Sequence, residues 1–377
     1  MLYYYYTSEK TYSEQYTIYI INHFRKFFND ILFLYFGKEN ISSFSTNIIC
    51  ENRQKSNKQQ KGNNKSMIIS LFSGQGSQFP NMGNDILEAY PHTGELYDIA
   101  SDILGRDMRK VCFESTPEEL AQTINAQPAV LLTSLVCNSA AITKVHKAGI
   151  PFRFDGVAGH SLGEYAALTM SGMVTLEDIF RLIKARSEAM DEAARENKGA
   201  MAAVLKLAPE KIEEICSNAK NYVTAVNYNS PMQTVIAGTP EGIDEVSEIF
   251  AEMKARVVKL NVAGAFHSKL MQSAADKFYE EAKKISFKAP HVKYYSNVTG
   301  GELKDFSDMP SLLAKHIVSP VRFTSELAAM QADGADTFVE FGPGKTLTGL
   351  VKKTLPDVRA FNIENLETLE KAEEIYE

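Results

Sequence analysis

Gly159-His160-Ser161-Leu162-Gly163 follows the pattern G-x-S-x-G, between an apolar stretch that reads as a strand and residues that read as a helix. That is the context the pattern needs to act as a nucleophile elbow. Side chains at the flanking positions would clash in so tight a turn, so glycine stands there. The turn pushes the serine hydroxyl into the open at a helix N-terminus. The backbone N–H of Leu162 then points to where an oxyanion would form at the attacked carbonyl. The plainer reading is a strand-to-helix turn with a capping serine. The strand and helix on either side favour the nucleophile.

Serine is a poor nucleophile without a base. The chain has seven histidines: His23, His92, His146, His160, His267, His291 and His316. His160 adjoins Ser161, and its side chain is expected to point away from the hydroxyl. His267 lies in Gly264-Ala265-Phe266-His267-Ser268, a loop of the kind that can face a cleft between lobes. Composition does not select it over His291 or His316, since most single histidines are structural or exposed. Arg186 offers a separate clue. Ile179, Ile183 and Met190 form one apolar stripe at helical spacing, and Arg186 sits within it. A guanidinium on a core-facing stripe must find an anion. A buried Asp or Glu would serve, and so would a substrate carboxylate, which the planar fork of Arg binds bidentately. The sequence leaves both open.

Other patterns carry no chemistry. Gly74-Gln75-Gly76 has Phe79 where G-x-G-x-x-G needs its last glycine, and Gly344-Lys345-Thr346 has Val339 where a phosphate loop needs its first. No HExxH or EF-hand loop occurs, so neither a metal nor another cofactor is expected. Cys50, Cys112, Cys137 and Cys216 are scattered without a CxxC pair, which suits a reducing cytoplasm rather than a disulfide framework.

These residues need elements to position them. Met67 to Phe72 reads as a buried strand entering a Gly-rich turn, Ser73 to Gln78, with helical patterns following to about Ala148. Asp155 to Ala158 reads as a short strand, Glu164 to Met170 as a helix, and Leu176 to Glu196 as another. This alternation predicts an α/β domain. From about residue 199 to 262 the rhythm becomes βαββαβ, the ferredoxin-like pattern, expected as a small subdomain inserted in the larger one. Phe338 to Phe341 reads as a late strand before Gly342-Pro343-Gly344.

The 377 residues are 44% hydrophobic with a formal net charge of −7, enough apolar material for a real core and no sign of nucleic acid as the main partner. Residues 1–66 differ from the rest. They hold 8 of the 17 Tyr, no Ala, Val or Pro, and nine Lys and Arg against five Asp and Glu. The apolar run at Ile31 to Phe36 is too short to span a bilayer, and no signal-peptide pattern is present. Tyr, Phe, Asn, Ile and Lys have AT-rich codons, so the segment is expected to be a non-native or disordered extension, with the acyltransferase domain at residues 67–377. The competing reading is a basic, aromatic amphipathic arm at a membrane surface.

The chain from Met67 onward resembles the malonyl-CoA:acyl carrier protein transacylase family. The resemblance rests on LFSGQGSQFPNMG at 71–83, GHSLGEYAAL at 159–168, KARSEAM at 184–190, NYNSPMQTVIAG at 227–238, GAFHSKLM at 264–271, SPVRF at 319–323 and EFGPGKTLTGL at 340–350, in family order. It implies an α/β-hydrolase-like core with an inserted ferredoxin-like subdomain. It implies Ser161 as nucleophile, His267 as its base, an oxyanion hole of the Gln75 and Leu162 N–H groups, and Arg186 on the malonyl carboxylate. Phe266 resembles the malonyl-selective version of its motif. The carbonyl that orients the histidine would be that of His316, where several family members have Gln. The implied reaction moves malonyl from malonyl-CoA through an acyl-serine to the phosphopantetheine thiol of acyl carrier protein, for fatty acid biosynthesis, by a cytoplasmic monomer without membrane or nucleic-acid partners. An esterase or thioesterase on a similar fold, a polyketide-pathway acyltransferase and a carrier-binding module with a dead site are the alternatives. The first would need no Arg in its pocket, and intact Ser161 and His267 argue against the last.

Overall fold

The computed structural model describes residues 66–377; the readings made on residues 1–65, including Cys50 and His23, lie outside the described residues. Ser66–Ala148 and Phe154–Glu377 form one compact unit.

Strand β1 (Met67–Phe72) is apolar at five of six positions and buried at all but its first residue, as suits the middle of a parallel sheet covered on both faces. Helices α1 (Gly94–Leu104) and α2 (Thr123–Lys147) come next. Helix α2 is long and apolar enough to cross a membrane by length and composition, yet 83% of its apolar window is buried inside the fold, so it is accounted for as a core helix. Then come β2 (Gly156–Gly159), α3 (Gly163–Met170) and α4 (Leu176–Glu196), the last with both ends where the sequence put them. Thr175 caps α4 by accepting from the Asp178 N–H.

A second group comprises β3 (Ala200–Leu205), α5 (Pro209–Asn218), β4 (Val223–Ser230), β5 (Gln233–Gly238), α6 (Pro240–Glu252) and β6 (Arg256–Lys259). Its strands form a four-stranded antiparallel sheet in the order β4-β5-β3-β6. Ala202, Val204, Ile212, Ile236, Ile243 and Phe250 give it a hydrophobic core of its own. The chain continues through α7 (Gln272–Ala282), β7 (Lys293–Ser296), β8 (Gly301–Glu302), α8 (Met309–Val318), α9 (Phe323–Ala332), β9 (Ala335–Phe341), α10 (Thr346–Thr354) and β10 (Arg359–Ile363). The main sheet runs β10-β9-β1-β2-β7-β8, parallel throughout except for the β7–β8 pair. The segment between α8 and α9 is tied to β4 of the second sheet at Val321, which donates to the Val226 carbonyl at 2.7 Å and accepts from the Tyr228 N–H at 2.9 Å.

Strand β9 begins three residues before the expected Phe338, because Ala335 and Thr337 pair with Met67 and Ile68 although Asp336 between them breaks the apolar run. Since β1 sits between β2 and β9, its C-terminal loop and that of β2 emerge side by side. In open parallel sheets, sites form at such carboxyl ends.

Candidate active site

The turn from β2 into α3 is as tight as its glycines suggest. A Cβ on Gly159 would lie 1.9 Å from the Gly163 carbonyl carbon, and one on Gly163 would lie 2.1 Å from the Phe72 carbonyl oxygen. Between them Ser161 takes φ +54°, the left-handed region that costs a non-glycine residue about 1–3 kcal/mol. Its N–H donates to Asn297 Oδ1 at 2.7 Å, which helps hold that conformation.

The structure brings one histidine to this serine. Ser161 Oγ and His267 Nε2 are 2.7 Å apart, and His267 also has a positive φ, +61°. Its Nδ1 faces two backbone carbonyls, His316 at 3.0 Å and Ser319 at 3.1 Å. Carbonyls only accept, so Nδ1 carries the hydrogen, and in the neutral ring Nε2 keeps its lone pair for the serine hydroxyl. Burial first, then the neighbouring His316 and Arg186, holds the His267 pKa well below the ordinary value of 6.5. His291 is exposed and lies against Gly172, away from Ser161. His160 turns from the hydroxyl toward Asn229 Oδ1, 2.7 Å from its Nε2, and packs edge-on against Phe323.

Arg186 is 1% exposed on the buried stripe of α4. Among the described residues no carboxylate forms an ion pair with it. Its Nη2 donates to Ser161 Oγ at 3.1 Å, its guanidinium lies 5.2 Å from the centre of the Tyr165 ring, and its Nε has no partner among the described residues. A buried cation with spare donors beside the nucleophile can take a carboxylate that arrives with a substrate. The structural ion pair that the sequence left open is not there among the described residues.

The Gly-rich turn after β1 reaches the same place. Gly74 packs so closely on the elbow that a Cβ there would lie 2.6 Å from the His160 carbonyl oxygen. Among the described residues neither the Gln75 nor the Leu162 N–H donates to a protein carbonyl, and Leu162 is the residue that opens α3, where helix N–H groups are left over. A cleft of about 200 Å³ between the two sheets is lined by Gln75, Ser161, Arg186, Phe266 and His267, with Asn229 from the second sheet. Together these groups can activate a hydroxyl, hold an acyl carboxylate and offer N–H donors to a developing oxyanion.

Three neighbours of the site are singled out by no catalytic pattern in the sequence, although Ser319 and Glu340 open the family stretches SPVRF and EFGPGKTLTGL. Asn297 holds the elbow from the end of β7, and Ser319 adds the second carbonyl under His267. Glu340 is buried in β9, where it accepts from the Leu347 and Thr348 N–H groups, the Thr348 hydroxyl and Ser73, tying α10 to the turn before Gln75. Burial pushes its carboxyl up to about 7 against the pull of those donors.

The chain matches the acyl transferase domain family over residues 70–372. The malonyl CoA-acyl carrier protein transacylase of Bacillus subtilis strain 168 is 39% identical over 311 residues, which is 81% of this chain and 96% of that protein. The crystal structure of malonyl CoA-acyl carrier protein transacylase from Clostridium perfringens matches with a TM-score of 0.75 at 36% identity, covering 81% of this chain and 96% of that one. A structure of a type II PKS acyl-carrier protein in complex with its malonyl-transacylase matches with a TM-score of 0.77 at 32% identity, covering 82% and 99%.

Proposed function

Because the chain belongs to the acyl transferase family, among its malonyl-CoA:acyl carrier protein transacylases, we propose that Ser161 carries the malonyl group between the two thiols. The observation that supports this most is the 2.7 Å contact between Ser161 Oγ and an Nε2 that must be unprotonated when the ring is neutral. His267 takes the serine proton as Oγ attacks the thioester carbonyl of malonyl-CoA. The oxyanion is held by the N–H groups of Gln75 and Leu162. The tetrahedral intermediate collapses, and the CoA thiolate leaves with the proton from His267. The phosphopantetheine thiol of acyl carrier protein then gives its proton to His267, attacks the acyl-serine and departs as malonyl thioester, returning the proton to Ser161. The His316 and Ser319 carbonyls steady the transient imidazolium in the place an aspartate takes in a triad. Arg186 holds the malonyl carboxylate and so fixes the acyl group away from water, while Phe266 walls the pocket. The malonyl-carrier product supplies fatty acid chain elongation. No bound cofactor takes part, and the free, buried Cys112, Cys137 and Cys216 suit a reducing cytoplasm. The second sheet, with its βαββαβ order, is read as a ferredoxin-like insertion on a hydrolase-like core. Transfer to acyl carrier protein measured against hydrolysis of malonyl-CoA tests the activity: hydrolysis without transfer would make the chain a thioesterase.

A base kept neutral by burial predicts the pH dependence. The lowered pKa means His267 stays unprotonated as pH falls through 6.5, and loses its lone pair only further down. The rate of Ser161 acylation is therefore expected to be flat from pH 8 to below 6.5. A half-fall centred at or above 6.5 would mean that the imidazole is solvated in the working enzyme.

The family match begins at residue 70, and residues 1–66 have a composition of their own. A chain starting at Met67 is expected to keep both melting temperature and transfer rate. A large loss in either would place residues 1–66 in the fold.

A further inference from the structure

The side chains beneath the elbow carry a step that rests on the Ser161–His267 reading above. We infer that Asn297 is a positioning residue for both members of that pair, acting on Ser161 directly and on His267 through His316.

Asn297 follows β7 and is fully buried. Its carboxamide has only one workable orientation. The Ser161 N–H can only donate and the Gly159 carbonyl can only accept, so Oδ1 faces Ser161 at 2.7 Å and Nδ2 faces Gly159 at 2.7 Å. The other Nδ2 hydrogen goes to Glu326 Oε1 at 2.7 Å. The remaining lone pair of Oδ1 faces His316 Nε2 at 3.1 Å, so that nitrogen must carry a hydrogen. On the far side His316 Nδ1 lies 3.0 Å from Glu164 Oε2, and Glu164 Oε1 accepts the Asn297 main-chain N–H at 2.6 Å. Neither Glu164, Glu326 nor His316 is more than 1% exposed.

These contacts close a ring. The Ser161 N–H donates to Asn297, and Asn297 accepts from the His316 imidazole. The His316 carbonyl accepts from His267 Nδ1, and His267 Nε2 accepts from Ser161 Oγ. Two residues of the ring, Ser161 and His267, hold a left-handed backbone that each would leave if released. The carboxamide of Asn297 and the imidazole of His316 thereby set the distance between nucleophile and base. A short polar side chain with a donor and an acceptor on one carbon is what this corner requires, which is why the residue is an amide.

The test uses the full chain with malonyl-CoA and reads Ser161 acylation, KM and melting temperature for Asn297→Ala, His316→Leu and His316→Gln. Folded Asn297→Ala is expected to lose about 30-fold or more in acylation rate with KM for malonyl-CoA within about twofold, the signature of an interaction used in the transition state. His316→Leu keeps the carbonyl but has no donor for Asn297, and should lose about tenfold or more, again in rate and not in KM. His316→Gln can still donate through its amide and should recover most of what Leu loses. Variants acylated as fast as the parent, or slowed only through KM, overturn the positioning role. Should Asn297→Ala not fold, the His316 pair decides: equal rates for Leu and Gln overturn it. A parent chain that is not acylated on Ser161 overturns the functional reading itself, a result separate from any of these.

Discussion

Ser161→Ala is expected to gain no mass on incubation with malonyl-CoA, where the parent chain gains one malonyl group on Ser161. Transfer to acyl carrier protein should fall by about 10⁴-fold or more, the scale on which hydrolases lose turnover with their nucleophile. The size follows from the site. One hydroxyl lies 2.7 Å from the unprotonated face of His267. The three described thiols are buried, and burial pushes each of them up, Cys112 and Cys216 to about 12, so none is a thiolate ready to take over. His267→Ala should leave the hydroxyl but no acceptor for its proton, and lose nearly as much, because members of such a pair act as a unit. Intact-mass and peptide-mass measurement check both. A malonyl label persisting on another residue of Ser161→Ala would remove Ser161 from the mechanism.

How much of this site the sequence carries depends on the kind of physics behind each part. Glycine is demanded by backbone collisions between near neighbours, so Gly159 and Gly163 betray the elbow to a reader of the chain. The apolar run of β1 and the 3.6-residue stripe of α4 are local too, and both elements lie where that periodicity puts them. The histidine is another matter. By residue type alone His267, His291 and His316 are equivalent, and only the family resemblance of GAFHSKLM selects His267. What separates them physically is a long-range distance, since Ser161 and His267 are 106 positions apart in the chain and 2.7 Å apart in space. Asn297 escapes for the same reason, since a residue that serves by meeting groups from distant parts of the chain has no spacing of its own to display. Ser319 and Glu340 fall within the family stretches SPVRF and EFGPGKTLTGL, yet nothing local tells that one offers its carbonyl to His267 and the other ties α10 to the turn before Gln75. Strand β10 escapes differently. RAFNI is a half-buried edge strand without a clean alternation, and it exists because β9 offers it a partner.

Arg186 was legible with two meanings, and the structure separates them. A buried guanidinium normally answers to a carboxylate of its own protein, because a lone charge in the interior is costly. Here Arg186 reaches Ser161 Oγ and the Tyr165 ring, and among the described residues Nε has no partner, so part of its hydrogen-bonding capacity is left for an anion. Malonyl brings one, two carbons from the carbon that Ser161 attacks. Arg186→Ala is therefore expected to weaken malonyl transfer severely, since a charged, desolvated hydrogen bond is worth about 1.5–3 kcal/mol. Acetyl transfer should suffer much less, because acetyl has no carboxylate to lose. The ratio of malonyl to acetyl rates should fall by about tenfold or more, which corresponds to about 1.4 kcal/mol. Arg186→Lys should restore only part of the preference, because an ammonium lacks the two-pronged geometry. Removing the charge should not cost the fold what breaking a buried ion pair costs, about 3–5 kcal/mol, since among the described residues no carboxylate is paired with it to be stranded. The decisive measurement is the pair of rates together with the melting temperature. If both acyl groups slowed equally and the melting temperature dropped sharply, Arg186 would be structural, and the choice of malonyl would have to come from elsewhere in the pocket.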